Sequence, residues 1–206
     1  GGASTQFYMT ALNLLGNGSK ADFLITGGWS QKALKEGRRV GDCASIWDGS
    51  ESGFKSVPRN GEYEVRDGSD YVHYTSNNTL FGTQYHHTPD TGGVRLVVDA
   101  SSDICGAPID VSAHDVIYAG AQKNLGPSGV TLVILSPWAV SRIGDDLPTM
   151  LDYRTHISKG SMFNTPNTFG IFVLDKVLEW VEENGGLEGA IKRNTLKASL
   201  LYRELD

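Results

Sequence analysis

The chain has 206 residues, 39% of them hydrophobic and 20% charged, which suffices for a sizeable core without crosslinks. A net charge of −6, with no clustered Lys and Arg, excludes a nucleic-acid footprint. Cys43 and Cys105 share no CxxC spacing, which suits a reducing compartment and offers no thiolate metal site.

A single Cys43–Cys105 bridge stays open at this level. No apolar run reaches the roughly 20 residues of a membrane span, and no signal peptide is visible, so a cytoplasmic location is expected. The chain opens on Gly1-Gly2 without Met and stops inside a helical pattern at Asp206. We therefore expect it to be a piece of a longer protein.

In chain order, GGASTQFYMTALNLLGNG begins as a glycine-rich turn. It continues with Phe7, Leu12 and Leu15 at helical spacing, and Gly16-Asn17-Gly18 ends the helix. ADFLITGGW predicts a short buried strand and SQKALKEGRRVG a helix. Residues 43–70, rich in Gly, Ser, Asp and Asn, predict short strands and loops.

YVHYTSN and RLVVDASS read as strands, and DVIYAGAQKNLGPSGVTLVILS as strand, turn and strand. Residues 136–170 read as loop. FGIFVLDKVLEWVEENGG predicts an amphipathic helix, with Phe172, Val173, Lys176, Val177, Trp180 and Val181 three and four apart and Gly185-Gly186 as its stop. LEGAIKRNTLKASLLYRELD begins a further helix. Strands alternating with helices give an α/β fold with a mostly parallel central sheet flanked by helices, a three-layer α/β/α arrangement.

Three local features combine into one chemistry. The turn GGAST before a helix offers backbone N–H groups and a hydroxyl to a phosphate, although most such turns bind nothing. Asp99, ending RLVVD, is a carboxylate suited to a protonated ring nitrogen; alone it reads as a strand-ending turn cap helped by Ser101 and Ser102. Lys123, in GAQKNLGPSG, lies in a small-residue setting that suits a partly desolvated amine able to carry an imine, whereas an isolated turn Lys is ordinarily solvated. Asp99 and Lys123 each follow a strand, which places both on one rim of the sheet, where ligands of such folds gather.

VIYAGAQKNLGPSGVTLVIL resembles the cofactor-lysine segment of phosphoserine aminotransferases, fold-type I, class V enzymes dependent on pyridoxal 5'-phosphate. ADFLITGGWS, YVHYTSNNTLFGTQ, VVDASSDICGAPIDVS and PTMLDYRTHISKGSMFNTPNTFGIF resemble further segments in the family's order. The resemblance covers essentially the whole chain, and GAQKN and SMFNTPNT are its most specific parts.

It implies that Lys123 carries the cofactor as an imine, that Gln122 contacts its phosphate and that Asp99 pairs with the pyridine nitrogen. Trp29 would stack on the ring, although as a residue it reads equally as core filling. Thr79 would meet the ring hydroxyl; Asn78 before it often has an acid in its place. Ala3 and Ser4 would hold the phosphate, and Asn164 and Thr165 would reach the cofactor of the partner subunit in a homodimer.

The implied reaction moves an amino group between L-glutamate and 3-phosphohydroxypyruvate, giving O-phospho-L-serine and 2-oxoglutarate in serine biosynthesis; 4-phosphohydroxythreonine of vitamin B6 synthesis stays open as a second substrate. Residues 1–187 would form the cofactor-binding large domain, and 188–206 the start of a helix towards a small domain. Arg154, near the MLDY segment, would lie close to this site but is given no role, and the substrate-reading residues of the family fall outside the chain.

No metal is expected, because the five histidines show no ligand spacing, and His86 and His87 receive no role. Two rivals remain: another fold-type I aminotransferase, against which GAQKN and NTPNT count, and a non-catalytic cofactor-binding or dimerisation fragment, against which Lys123, Asp99 and Trp29 count. A dinucleotide-binding dehydrogenase is weaker, since GGASTQ is not GxGxxG.

Overall fold

The computed structural model describes residues 2–205, so Gly1 of the opening turn lies outside the described residues. The elements in chain order are α1 (Ser4–Leu14), β1 (Lys20–Ile25), α2 (Gly28–Gly37), β2 (Asp42–Asp48), β3 (Ser69–Thr75), the short pair β4 (Asn77–Asn78) and β5 (Thr83–Gln84), β6 (Arg95–Asp99), β7 (Val116–Gly120) and β8 (Thr131–Leu135). The helices α3 (Pro137–Ser141), α4 (Tyr153–Ser158), α5 (Thr168–Glu183) and α6 (Gly186–Leu205) complete the chain. No helix of the described residues is long and apolar enough to cross a membrane, and both cysteines are free thiols.

Six strands form one sheet in the order β2-β1-β3-β6-β7-β8. All neighbours run parallel except β8, which returns antiparallel beside β7. The two-residue period of the strands splits the apolar side chains cleanly between two faces. Phe7, Leu14, Phe23, Ile25, Tyr71, Val97 and Tyr118 gather on the face covered by α1 and α2. Leu24, Val72, Tyr74, Val98, Ile117 and Ala119 gather on the other, under Val57, Tyr63, Val65, Ile104, Ile109 and Leu174 of α5. The expected α/β class with a mostly parallel sheet is the observed one; within this chain, coil shares the cover of the second face with α5.

The helix boundaries follow local chemistry. Ser30 Oγ accepts from the N–H groups of Thr26 and Gly27 at the start of α2, at 2.9 and 3.0 Å, and donates to Gly27 O. Asn167 caps α5 by accepting from Gly170 N–H, and Gly185, at φ +90°, stops it. The segment 136–170 differs from the loop expected. It holds α3, started by Ser136 accepting from Ala139 N–H with Pro137 behind it, and α4, capped by Asp152. Tyr153 and Ile143 of this segment pack on Met9 of α1, so tertiary burial orders a stretch whose composition alone reads as coil.

Coil 49–68 is pinned to the sheet by Arg66. Its Nε–H donates to Asp22 Oδ1 at 2.6 Å and its backbone N–H to Asp22 Oδ2 at 2.8 Å. Its Nη1 reaches Asp42 Oδ1 at 2.9 Å. Asp22 is fully buried while Arg66 keeps 30% exposure. Arg66→Ala is expected to cost about 3 kcal/mol, because it strands a buried carboxylate; the remaining exposure keeps the loss at the low end. Urea unfolding of the variant measures it, and a loss below about 1 kcal/mol would show that the pair is a surface ornament.

Helix α5 corrects another expectation. Val173, Val177 and Val181 are half-buried, but Phe172 and Trp180 are 57% and 52% exposed. Helical spacing marks an apolar face without saying what covers it.

Candidate active site

Strands β3, β6 and β7 end together, with Thr75, Asp99 and Tyr118 in register. The carboxyl ends of parallel strands form the rim where a fold of this kind opens a crevice. Here the crevice is a cleft of about 60 Å³, lined on one side by Ala3, Ser4 and Phe7 of α1 and its cap, and on the other by Gln122 and Lys123. Trp29, Thr75, Asn77, Asp99, Ser101 and Ser102 complete it.

Each wall has its own chemistry. The first turn of α1 has no intrahelical acceptors for its leading N–H groups, and the helix dipole adds partial positive charge there; an anionic group finds donors at Ala3 and Ser4. Trp29 stands at the start of α2, its ring 6.5 Å from that of Phe7 and tilted by 47°. The Lys32 ammonium lies 4.2 Å from the centre of the Trp29 ring. Two polar atoms of the cleft residues are buried without a partner, Trp29 Nε1 and Thr75 Oγ1. Such groups are costly to leave unpaired unless a ligand or water meets them.

Asp99 forms the floor and is only 4% exposed. Burial pushes its carboxyl above the ordinary range; the Ser101 hydroxyl and N–H and the nearby Lys123 cation pull it back, and the Asp103 carboxylate pushes it up. A buried acid held by donors and facing a cation suits a second cationic group in the cleft.

Lys123 follows β7 in a turn closed by Leu125 N–H on Ala121 O at 3.1 Å. Its side chain is exposed, not desolvated as the small-residue setting suggested. Gln122 folds back over Gly120: a Cβ at Gly120 would sit 2.4 Å from Gln122 Oε1. Glycine there leaves room for that carboxamide beside the cleft.

Of the nine positions expected from the sequence, the structure brings six into this cleft: Ala3, Ser4, Trp29, Asp99, Gln122 and Lys123. Thr79 is exposed on the turn after β4, and Asn77 lines the cleft in its stead. Asn78 turns inward, its Nδ2 donating to Thr26 Oγ1 at 2.8 Å, and its side chain leaves no space for a Cβ on Gly27. Asn164 and Thr165 are exposed and lie outside the cleft. Arg154 pairs with Asp152 at 3.0 Å and Asp145 at 3.4 Å, away from the cleft residues.

Sequence reasoning missed Phe7, Thr75 and Asn77 as lining residues, and read Ser101 and Ser102 only as turn caps. The signal for Thr75 was available, since YVHYTS ends beside RLVVD on the same rim.

A separate cavity of about 350 Å³ lies near Tyr74, Tyr85, His87, Asp103 and His114. It has more room than the cleft but is lined by no lysine and by no α-helix N-terminus. Its His114 is already engaged, with Nε2 on Tyr74 Oη at 2.8 Å and Nδ1 on Asp110 O at 2.7 Å.

Comparison with known proteins agrees with the geometry. The model of the aminotransferase class-V family matches residues 1–206. Phosphoserine aminotransferases of Geobacillus kaustophilus and Halalkalibacterium halodurans are 50% and 48% identical over the whole chain, which spans 57% of each. The solved phosphoserine aminotransferase of Bacillus circulans subsp. alkalophilus superposes with a TM-score of 0.95 at 46% identity, covering 98% of this chain and 56% of that one. A PLP-bound phosphoserine aminotransferase of Trichomonas vaginalis superposes with a TM-score of 0.93 at 32% identity, over 100% of this chain and 62% of that one. The chain therefore spans a little over half the length of the relatives it matches.

Proposed function

The chain belongs to the class-V aminotransferase family, and from that premise we propose that it is the cofactor-binding part of a phosphoserine aminotransferase. Its reaction is amino transfer between L-glutamate and 3-phosphohydroxypyruvate, giving O-phospho-L-serine and 2-oxoglutarate. The observation that carries this reading is one cleft holding a buried acid, an amine, an aromatic wall and a helix N-terminus. Its likeness over the whole chain to phosphoserine aminotransferases supports the substrate class.

The residues present fit pyridoxal 5'-phosphate. The α1 N-terminus at Ala3 and Ser4, with the Gln122 carboxamide, suits a phosphate; Asp99 suits a pyridinium; and the unpartnered Trp29 Nε1 and Thr75 Oγ1 have donor and acceptor capacity to spare. Bound there, the group supplies an electron sink for the pair left at the substrate α-carbon. Asp99 holds a proton at the ring nitrogen. Lys123 Nζ would take the proton from the substrate α-carbon and later give it up again, acting as base and then as acid. Trp29 and Phe7 limit ring tilt and exclude water from that side.

Residues 1–187 form the large domain in this reading, and 188–206 lead towards a small domain. Thr79, Asn164 and Thr165 act in the assembled enzyme, Thr79 on the ring hydroxyl and the other two on the partner's cofactor in a cytoplasmic homodimer. The exposed apolar side chains of α5, Phe172 and Trp180 among them, suit such an assembly.

A substrate panel on the full-length protein tests the reaction. Phosphoserine is expected to exceed aspartate and alanine by at least about 10³-fold in kcat/KM, since sites built around an ionic group reject analogues lacking it by such factors. Equal rates across the panel would favour a broader fold-type I aminotransferase. Comparable rates on 4-phosphohydroxythreonine would add a second substrate.

A further inference from the structure

We infer that Ser101 is the positioning residue that keeps Asp99 ionised and aimed into the cleft, and that it couples this acid to the opening between β6 and β7. The inference rests on the reading of the cleft as a pyridoxal phosphate site.

Three contacts meet at one residue. Ser101 Oγ–H donates to Asp99 Oδ1 at 2.5 Å, and Ser101 N–H donates to the same oxygen at 3.0 Å. The lone pairs of Ser101 Oγ accept from Gly120 N–H at 3.1 Å. Gly120 is the last residue of β7, directly before the Lys123 turn.

The regular pairing of β6 with β7 ends at Asp99 and Tyr118, and Ala100 N–H still reaches Tyr118 O at 2.9 Å. Beyond that point the strands diverge to open the cleft. The Ser101 hydroxyl takes the place a strand carbonyl would have, satisfying a backbone donor that must otherwise be solvated or stranded.

The same hydroxyl thereby ties the acid on one strand end to the start of the lysine turn on the other. Its proton is committed to Asp99, because Oγ is already an acceptor for Gly120. Two donors on Oδ1 leave Oδ2 as the oxygen free to face a ligand. Hydrogen bonds to a carboxylate favour its charged form, and at a group this buried they decide whether it serves as an anion.

The other charged and titratable groups around Asp99 are the Lys123 ammonium, the Asp103 carboxylate and the Tyr118 phenol. Lys123 favours the charged acid, but its exposed side chain is the more screened of the two supports. Asp103 opposes ionisation and is itself engaged by Ser76 Oγ–H at 2.5 Å. Tyr118 Oη is committed to His73 Nε2 at 2.8 Å. Ser101 is therefore the one group in direct hydrogen-bond contact that holds Asp99 charged among the described residues.

The test compares wild type with Ser101→Ala and Ser101→Thr, the second keeping the hydroxyl. Carbon-13 NMR follows the Asp99 carboxyl in the cofactor-free protein, and fluorescence quenching gives the affinity for added pyridoxal phosphate. Ser101→Ala is expected to raise the proton affinity of Asp99 about tenfold and to weaken cofactor binding about tenfold, the worth of one charge-assisted hydrogen bond. Ser101→Thr should restore both.

An Asp99 titration unchanged in Ser101→Ala overturns the inference, even if binding falls, because the serine would then act only on the fold. A threonine variant that folds but titrates like alanine overturns it as well. Absence of cofactor binding by wild type would instead defeat the proposed function, while the Asp99 titration would still decide the contact.

Discussion

Lys123→Ala is expected to lower the transaminase rate of the full-length protein by about 10²–10⁴-fold, the range for removing a general acid–base group. The amine has no substitute in the cleft. Gln122 beside it cannot take a proton, and the acid of the cleft, Asp99, accepts from Ser101. The loss should lie in kcat more than in KM, since proton transfer is made in the transition state and not on binding.

Added primary amines should recover part of the rate, because the alanine leaves space for a small base. Thermal stability should change little: Lys123 is exposed, and surface substitutions stay within about 0.5 kcal/mol. A variant that keeps its rate would remove Lys123 from the mechanism.

Asp99→Asn should cost about 10²–10³-fold, as when one preorganised electrostatic partner is removed, yet it should make the cofactor-free protein more stable at neutral pH. Burial raises the Asp99 carboxyl above its unfolded range. The sign follows from linkage. With a raised folded value, the acid's contribution to stability is fully present below the unfolded pKa, about 3.9, and is lost as pH rises through the folded one. At neutral pH the buried charge is thus a burden that asparagine removes.

The stability gap between variant and wild type should close as pH falls below about 4, where the acid is neutral as well. Thermal melts at neutral and acid pH check this. A variant less stable than wild type at neutral pH would mean that the carboxylate is fully compensated without ligand. Activity loss together with stability gain is the mark of a group retained for chemistry and not for the fold.

The two predictions rest on parts of the chain that differ in how openly the sequence displays them. Strands β3, β6 and β7 are apolar β-branched and aromatic runs bounded by polar residues, so their existence, order and shared rim are readable, and with them the proximity of Asp99 to Lys123. The helix α1 is readable from its spacing and the glycines after it. The cleft's inner wall was less accessible. Phe7 reads as core because its apolar side chain serves both core and cleft, packing towards Tyr118 at 6.2 Å as well as towards Trp29.

Ser101 reads as a turn cap because a serine two residues after an aspartate ordinarily is one. Only the position of Gly120, 19 residues away, gives its hydroxyl a second partner. The helices α3 and α4 had legible caps in Ser136-Pro137 and Asp152, but short helices depend on tertiary packing, here through Ala139 of α3 in the core that holds Phe7 and Leu14 and through Tyr153 of α4 in the cluster with Met9 and Leu151. On α5 the apolar face was legible and its exposure was not, since periodicity carries no information about the neighbour. Thr79, Asn164 and Thr165 illustrate the same boundary: their expected partners lie beyond the contacts one chain makes with itself.

The most direct measurement is borohydride reduction of the protein mixed with pyridoxal phosphate, followed by peptide mass mapping, with Lys123→Ala alongside. A yellow absorbance in wild type alone, and a reduced pyridoxyl group fixed to the peptide carrying Lys123, is the result the account predicts. Label on another lysine, or equal label in wild type and variant, would contradict it.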